Sequence, residues 1–163
     1  MNSACALHRT AGRRLNCAVT IMNAVIESVV FANSQFYRAL SLADLGAMQR
    51  LWLESPDAAC THPNGETLQG WEAIRESWRV IFENQGPLQV WASDVAVRVY
   101  GQTAEVTCRE NIDTSRAPGG GLAQARAANV FRRMAGQWKM LEHHATPIPV
   151  RDRLRRPARF SPN

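Results

Sequence analysis

Hydrophobic side chains in the first third of the chain recur at the spacing of amphipathic helices. One segment covers residues 23–40, and a second covers residues 45–52 and ends before a Ser-Pro pair. Between the two segments, Asp44 stands three residues after Ser41, a spacing typical of a capping box at a helix N-terminus. The pattern therefore predicts two consecutive helices separated by a short break.

A third helix and a block of strands follow. Residues 58–62 form a short strand-like run before a His-Pro-Asn-Gly turn, and residues 71–84 carry an apolar stripe of helical period. Four longer runs alternate as strands do and are joined by turns that contain glycine: residues 88–100, 103–113, 122–134 and 137–146. Short turns connect antiparallel neighbours, and the helices precede these four strands. We therefore expect an α+β fold with about three N-terminal helices packed on a curved, mainly antiparallel sheet.

Size and composition are those of a single globular domain. The chain has 163 residues, of which 45% are hydrophobic and 20% are charged. No apolar run approaches the roughly 20 residues that a bilayer-spanning helix needs, so we expect no membrane association. The four cysteines show neither Cys-x-x-Cys nor zinc-ligand spacing, which favours reduced thiols in a cytoplasmic protein.

The net charge of +5 is concentrated at the two ends of the chain. Residues 1–21 contain three arginines and no acid, and residues 151–163 contain five arginines and one aspartate, whereas the residues between them are slightly acidic. We expect residues 1–21 to be a poorly ordered basic extension or a start-site artefact, 22–148 to form the domain, and 149–163 to be a basic tail. Solvated tails are favoured over nucleic-acid binding.

Three motifs in the predicted domain resemble those of a known family. They are the His62-Pro63 turn, the Gly-Trp-Glu-Ala-Ile-Arg-Glu-Ser-Trp segment at 70–78, and His-His-Ala-Thr-Pro at 143–147. Their order resembles SnoaL-like domains of the NTF2-like (cystatin-like) superfamily, over about residues 30–148. The resemblance implies a cone whose pocket, between sheet and helices, takes a small, largely apolar or aromatic molecule without a cofactor. It also implies a homodimer formed through the outer sheet face.

Glu110 is the clearest candidate for chemistry. In residues 104–112 the even positions are apolar apart from Glu110 and the odd ones are polar, so strand alternation places Glu110 on the apolar face. A carboxylate there is costly without a partner, and desolvation would raise its pKa into the range suited to general acid–base catalysis. The alternative is a structural glutamate satisfied by a neighbouring polar group.

Three histidines are further candidates. His143 and His144 are adjacent on a predicted strand, so one faces the pocket and the other faces outward, and alternation does not decide which. His144 shares the parity of Met140. His62 ends the short strand, and together with Glu110 and one of the histidine pair it could form an acid–base cluster. We expect no metal site, because no local ligand spacing such as His-x-His supports one.

Aromatic and amide side chains complete the predicted pocket. The five tryptophans fit a hydrophobic core, and they also fit a pocket that packs flat apolar molecules and offers indole N–H donors. Asn129 shares its parity with a run of alanines, so it would add a polar group to a wall of small residues. The candidate ligand-binding residues are Tyr37, Trp52, Trp78, Asn129 and Met140.

Two functions remain open, because the superfamily hosts isomerases, cyclases, dehydratases and domains without chemistry. The first is cofactor-independent proton transfer beside a carbonyl, with Glu110 or His144 as the base and His62, Trp78 or Tyr37 as donors. The residue sets of ketosteroid isomerases and SnoaL-type cyclases do not map onto this chain, so neither specific activity is predicted. The second function is a non-catalytic dimeric interaction module.

Overall fold

Three helices cover one face of a six-stranded sheet in the computed structural model, which describes residues 5–63, 65–115 and 120–149, with side chains from residue 19 onward. The predicted α+β fold is confirmed. The elements in chain order are α1 (Cys5–Leu42), α2 (Leu45–Leu51), β1 (Ala59–Thr61), β2 (Thr67–Gln69), α3 (Trp71–Gln85), β3 (Gln89–Tyr100), β4 (Thr103–Asp113), β5 (Leu122–Met134) and β6 (Gln137–Pro147).

The strands lie in the order β2-β1-β6-β5-β4-β3. Neighbours pair antiparallel except for β1 and β6, which are parallel. This one parallel pairing places Cys60 beside His143 and Thr61 beside His144. As a result, β1 lies beside β6, the last strand of the chain, although the two strands are far apart in sequence.

The pattern of residues located the long strands closely but missed two features. The predicted start of the first helix near residue 23 is wrong, since α1 begins at Cys5. Residues 5–22 contain no proline to end a helix. The helical spacing of apolar residues weakens before residue 23, but the helix itself continues. Strand β2, which has three residues, was not predicted.

The domain boundaries predicted at residues 22 and 148 stay predictions. The basic tail, apart from Pro149, and the turn residue Asn64 lie outside the described residues. Within those residues, none of the helices combines the length and hydropathy needed to span a membrane.

The break between α1 and α2 is present, but its cap differs from the prediction. Asp44 is the N-cap of α2, and its carboxylate accepts a hydrogen bond from Ala47 N at 2.8 Å. Ser41 remains in α1, where its hydroxyl donates to Val90 O at 2.8 Å and accepts from Val90 N at 3.1 Å. The predicted capping box is therefore wrong: Asp44 caps α2 alone, and Ser41 ties α1 to β3.

The core lies between the helices and the inner face of the sheet. Helix α3 contributes its apolar stripe, and α1 contributes Phe36, whose ring meets Trp78 edge to face with centroids 5.8 Å apart. The largest fully buried side chains are Trp52, Phe36, Phe131, Met48, Ile74 and Met140. Because this inner face is otherwise apolar, each polar side chain on it needs a specific partner.

Candidate functional site

Glu110 lies on the inner face of β4, as strand alternation predicts. It is 2% exposed and shares that face with Val106 and Cys108. On the neighbouring strands it pairs with Ala92 and Ala125. Because its neighbours across the sheet are alanines, the carboxylate depends on the helices and on β6 for polar partners.

Tyr37 of α1 supplies the closest of these partners. Its hydroxyl donates to Glu110 Oε1 at 3.1 Å and also lies 3.1 Å from Cys108 Sγ. Burial raises the pKa of Tyr37, and the nearby Glu110 and Cys108 raise it further. Burial also raises the pKa of Cys108 to about 11. Both groups therefore keep their protons near neutral pH and act as hydrogen-bond donors.

The Glu110 carboxyl is tuned toward neutral pH. Burial raises its pKa from 4.5 to about 7, and the hydrogen bond from Tyr37 opposes that shift. A carboxyl group whose pKa lies near the ambient pH can both give and take a proton, as general acid–base catalysis requires.

A β-bulge in β6 decides which histidine faces inward. Val130 pairs with Glu142 while Phe131 pairs with Met140, so Leu141 is an extra residue in β6. Beyond the bulge the alternation is reversed, and His143 instead of His144 lies on the same face as Met140. His143 is 3% exposed. The shared parity of His144 and Met140 therefore does not place them on the same face.

His144 is exposed on the outer face, where its Nε2 lies 3.2 Å from Thr146 Oγ1. The structure does not bring it to Glu110. His143 takes that place: its Nε2 lies 3.8 Å from Glu110 Oε1. Burial, and to a smaller extent the nearby His62 and His144, lower the pKa of His143 to about 3.

Two asparagines anchor His143. Its Nδ1 lies 2.7 Å from Asn129 Oδ1, and because an amide oxygen only accepts, Nδ1 is the donor. The Asn129 amide nitrogen donates to Asn33 Oδ1 at 2.7 Å and to the Tyr37 hydroxyl at 3.4 Å. We call the connected group the acid–base cluster; its members are Asn33, Tyr37, Cys108, Glu110, Asn129 and His143.

Among the ring contacts of the described residues, His62 reaches this cluster through Trp78. It lies edge-on to the Trp78 ring with centroids 4.5 Å apart, and Trp78 in turn lies 6.3 Å from the His143 ring. The Ser77 hydroxyl donates to Ile74 O, so His62 Nε2, 3.0 Å from Ser77 Oγ, must be the donor in that contact. Burial lowers the pKa of His62. The predicted direct convergence of His62 with Glu110 is not observed.

The predicted ligand-binding residues occupy different environments. Met140 is fully buried in the core. Trp52 stacks on Trp71, with centroids 6.2 Å apart, and lines a surface groove of about 440 Å³. Within the described part of the chain, the indole N–H groups of Trp52 and Trp78 are buried and have no hydrogen-bond acceptor. Of these two tryptophans, Trp78 has its ring near His143, with centroids 6.3 Å apart.

The acid–base cluster is enclosed. A groove of about 450 Å³ lies between α1 and α2 around Arg38, and the groove at Trp52 lies around Arg50 and Lys139. Neither of these two grooves is lined by a member of the cluster. Across the described ranges, no three His, Cys, Asp or Glu side chains are grouped so that they could hold a metal ion.

Asn33 and Cys108 were missed as members of the site. Cys108 shares the even parity of Glu110, but a cysteine on an apolar strand face resembles an ordinary core residue. Asn33, 2% exposed, lies one helical turn before Tyr37 on the buried side of α1. The sequence does place this polar residue four positions before Tyr37, a spacing that puts both on the same face of the helix.

Comparison with known proteins agrees with this architecture. Residues 29–151 match the family model of the SnoaL-like domain. The solved structure of a candidate dehydratase of the NTF2-like family from Streptomyces avermitilis is 34% identical, with a TM-score of 0.72, covering 78% of this chain and 99% of that one. A candidate calcium/calmodulin-dependent protein kinase type II association domain from Thiobacillus denitrificans is 27% identical, with a TM-score of 0.66, covering 72% and 93%.

A further relative is the F-box protein SKIP8 of Arabidopsis thaliana, which is 26% identical over 129 residues. The match covers 79% of this chain and 53% of that protein, so the chain spans about half the length of this relative. The family match, the helices packed on a six-stranded sheet and the similar solved structures agree, and the chain belongs to the SnoaL-like domain family of the NTF2-like superfamily.

Proposed function

We propose that this protein is a cofactor-independent enzyme that moves a proton within a small, largely apolar carbonyl compound, in an isomerisation, cyclisation or dehydration. The observation that carries the proposal is the position of Glu110, buried on the inner face between the Tyr37 hydroxyl and His143 Nε2. The candidate dehydratase from Streptomyces avermitilis, the relative with 34% identity, supports this class of reaction.

Each residue has a role that follows from its contacts. The Glu110 carboxylate would take a proton from the carbon beside the substrate carbonyl, and the C–H electron pair would move into an enolate. The Trp78 N–H, which has no acceptor in the described structure, would donate to the enolate oxygen. Glu110, now protonated, would return the proton at another carbon. Tyr37 would hold the carboxylate in place throughout.

Access to the cluster requires motion, because Glu110 and His143 are almost completely buried. A ligand would enter when α1 and α3 move away from the inner face, and the apolar ring of Phe36 would then form part of its wall. Entry through such an opening would be slower than binding to a preformed groove. Enclosure would in turn strengthen the electrostatic interactions around the reacting atoms.

The test is deuterium exchange at carbon. A set of small β,γ-unsaturated cyclic ketones would be incubated with the protein in D₂O, and exchange beside the carbonyl followed by proton NMR. We expect Glu110→Gln to abolish exchange while the fold, measured by circular dichroism, is retained. The control is Glu105→Gln, a carboxylate on the outer face of the same strand. Exchange that persists in Glu110→Gln would refute the proposal.

A second candidate function is a non-catalytic dimeric interaction module in the cytoplasm. The enclosure of the cluster favours it, as does the 27% identical candidate association domain. The outer sheet face would then form the interface, with Ala128 near its middle, between Thr107 and His144. In that case Ala128→Glu should abolish a dimer seen by light scattering, and Glu110→Gln should leave it intact. Met134→Glu, at the exposed end of β5, is the control.

A further inference from the structure

The hydrogen bonds of the acid–base cluster can be assigned donor by donor. Tyr37 has one hydroxyl proton, which it donates to Glu110 Oε1. Its oxygen then accepts from the Cys108 thiol at 3.1 Å and from the Asn129 amide at 3.4 Å. The second amide proton of Asn129 goes to Asn33 Oδ1 at 2.7 Å. Both donor protons of Asn129 are therefore used, and its oxygen remains as an acceptor.

This assignment determines the tautomer of His143. Its Nδ1 must carry a proton, because it lies 2.7 Å from the Asn129 oxygen. With His143 neutral, Nε2 carries only a lone pair, and it faces Glu110 Oε1 across 3.8 Å. Two acceptors face each other there, so a proton on one of them would relieve their repulsion. The cluster therefore has one position for a mobile proton.

We infer that Asn33 is a positioning residue that acts through Asn129 to hold His143 as the neutral Nδ1–H tautomer, so that an unprotonated Nε2 faces the Glu110 carboxyl group. Among the described residues, Asn33 makes no hydrogen bond to His143 or Glu110, and it lies on α1, 96 residues before Asn129. Its significance for catalysis rests on the proposed function, whereas the tautomer is a property of the protein without substrate.

The opposite orientation of Asn129 shows why Asn33 matters. If the amide were reversed, its nitrogen would face His143 Nδ1, and His143 would carry its proton on Nε2. That N–H would donate to Glu110 and favour the charged carboxylate over the carboxylic acid. The Asn33 oxygen stabilises the first orientation by accepting from the Asn129 nitrogen. The Tyr37 oxygen, whose own proton goes to Glu110, accepts from the same nitrogen. Asn33 and Tyr37 together thus favour an unprotonated Nε2 facing Glu110 over an Nε2–H that donates to the carboxylate.

The experiment is long-range nitrogen–proton NMR of the histidine rings in the full chain without ligand. We expect His143 in the wild type to show a protonated Nδ1 and an unprotonated Nε2 at neutral pH. Asn33→Leu, which is similar in size but has no acceptor, should shift His143 toward the Nε2–H tautomer. It should also lower the midpoint at which the Glu110 carboxyl carbon titrates. Asn33→Asp keeps an acceptor and should retain the Nδ1–H tautomer.

Ser34→Ala is the matched control, because Ser34 is exposed on the same helix and its hydroxyl donates only to Phe31 O, within α1. It should change neither the tautomer nor the Glu110 midpoint. An Nε2–H or doubly protonated His143 in the wild type would overturn the inference even if no Asn33 variant folds. So would a folded Asn33→Leu variant that keeps the Nδ1–H tautomer. A protein with the expected tautomers but no carbon exchange would refute only the proposed function.

Discussion

Burial shifts the pKa values of Glu110 and His143 in opposite directions, yet for one physical reason. Removing a charge from water disfavours the charged form, so burial raises the pKa of the Glu110 acid to about 7 and lowers the pKa of the His143 base to about 3. Both shifts favour neutral side chains. The residues of the cluster are therefore poised around a neutral state, with Glu110 the group that ionises first as pH rises.

This leads to a prediction for stability against pH. The raised pKa of Glu110 means that the folded protein keeps this proton from pH 4.5 to about 7 while the unfolded chain loses it. The contribution of this proton to the free energy of unfolding is fully present below pH 4.5 and is lost as the pH rises through 7. The total loss is roughly 3 kcal/mol. Glu110→Gln has no such loss, so its free energy of unfolding should rise relative to wild type between pH 5 and 8.

Urea unfolding at pH 5 and pH 8 measures the effect, with Glu105→Gln as the control on the outer face. The free energy of unfolding of the control should change with pH by the same amount as that of the wild type. If the Glu110→Gln curve were also parallel to the wild type across this range, the carboxyl would not titrate near neutral pH in the folded state.

At the level of elements, one local irregularity positions the site and another begins the second helix. The bulge at Leu141 turns His143 inward, and the break after Leu42 lets α2 begin with its own cap at Asp44. Helix α2 has only seven residues, so its stability depends strongly on its N-cap and on packing against its neighbours. Both features involve only one or two residues, but each changes the direction of the chain or of the side chains that follow.

The cap provides a prediction for this short helix. Asp44→Ala removes the acceptor for Ala47 N and should lower the free energy of unfolding by about 1 kcal/mol. The measurement is the urea midpoint of the variant. Asp57→Ala, an exposed aspartate in the following loop, should change the midpoint much less. Equal effects for the two variants would show that the cap does not stabilise α2.

At the scale of the whole molecule, the sheet order joins distant parts of the chain into one core. The parallel pairing of β1 with β6 brings Cys60 beside His143, and α3 packs against β1 and β2. The cluster itself spans α1, β4, β5 and β6. Because its members come from four different elements, the site exists only when the whole domain is folded.

Helix α3 tests whether the domain unfolds as one unit. Ile74 is fully buried, so Ile74→Ala should cost about 2–5 kcal/mol. Val80→Ala on the exposed side of the same helix should cost well under half as much, since Val80 is 40% exposed. Unfolding would be followed by tryptophan fluorescence and by circular dichroism. Two separate transitions, or equal losses in the two variants, would contradict a single core.

The period of apolar residues by itself determined the α+β fold, the bounds of β4 and β5, and the inward direction of Glu110. These properties depend on alternation within one segment, which each residue and its near neighbours specify. The same reasoning predicted the third helix to within one residue of its observed end.

Only the tertiary structure decided which histidine faces the core, that Asn33 belongs to the site, and that the cluster is enclosed. A bulge is set by pairing with the neighbouring strand, so alternation counted along β6 could not reveal it. Tyr37 and Glu110 are 73 residues apart, and Asn33 and Asn129 are 96 apart. Contacts at such separations arise from helix and strand packing, which no local pattern encodes.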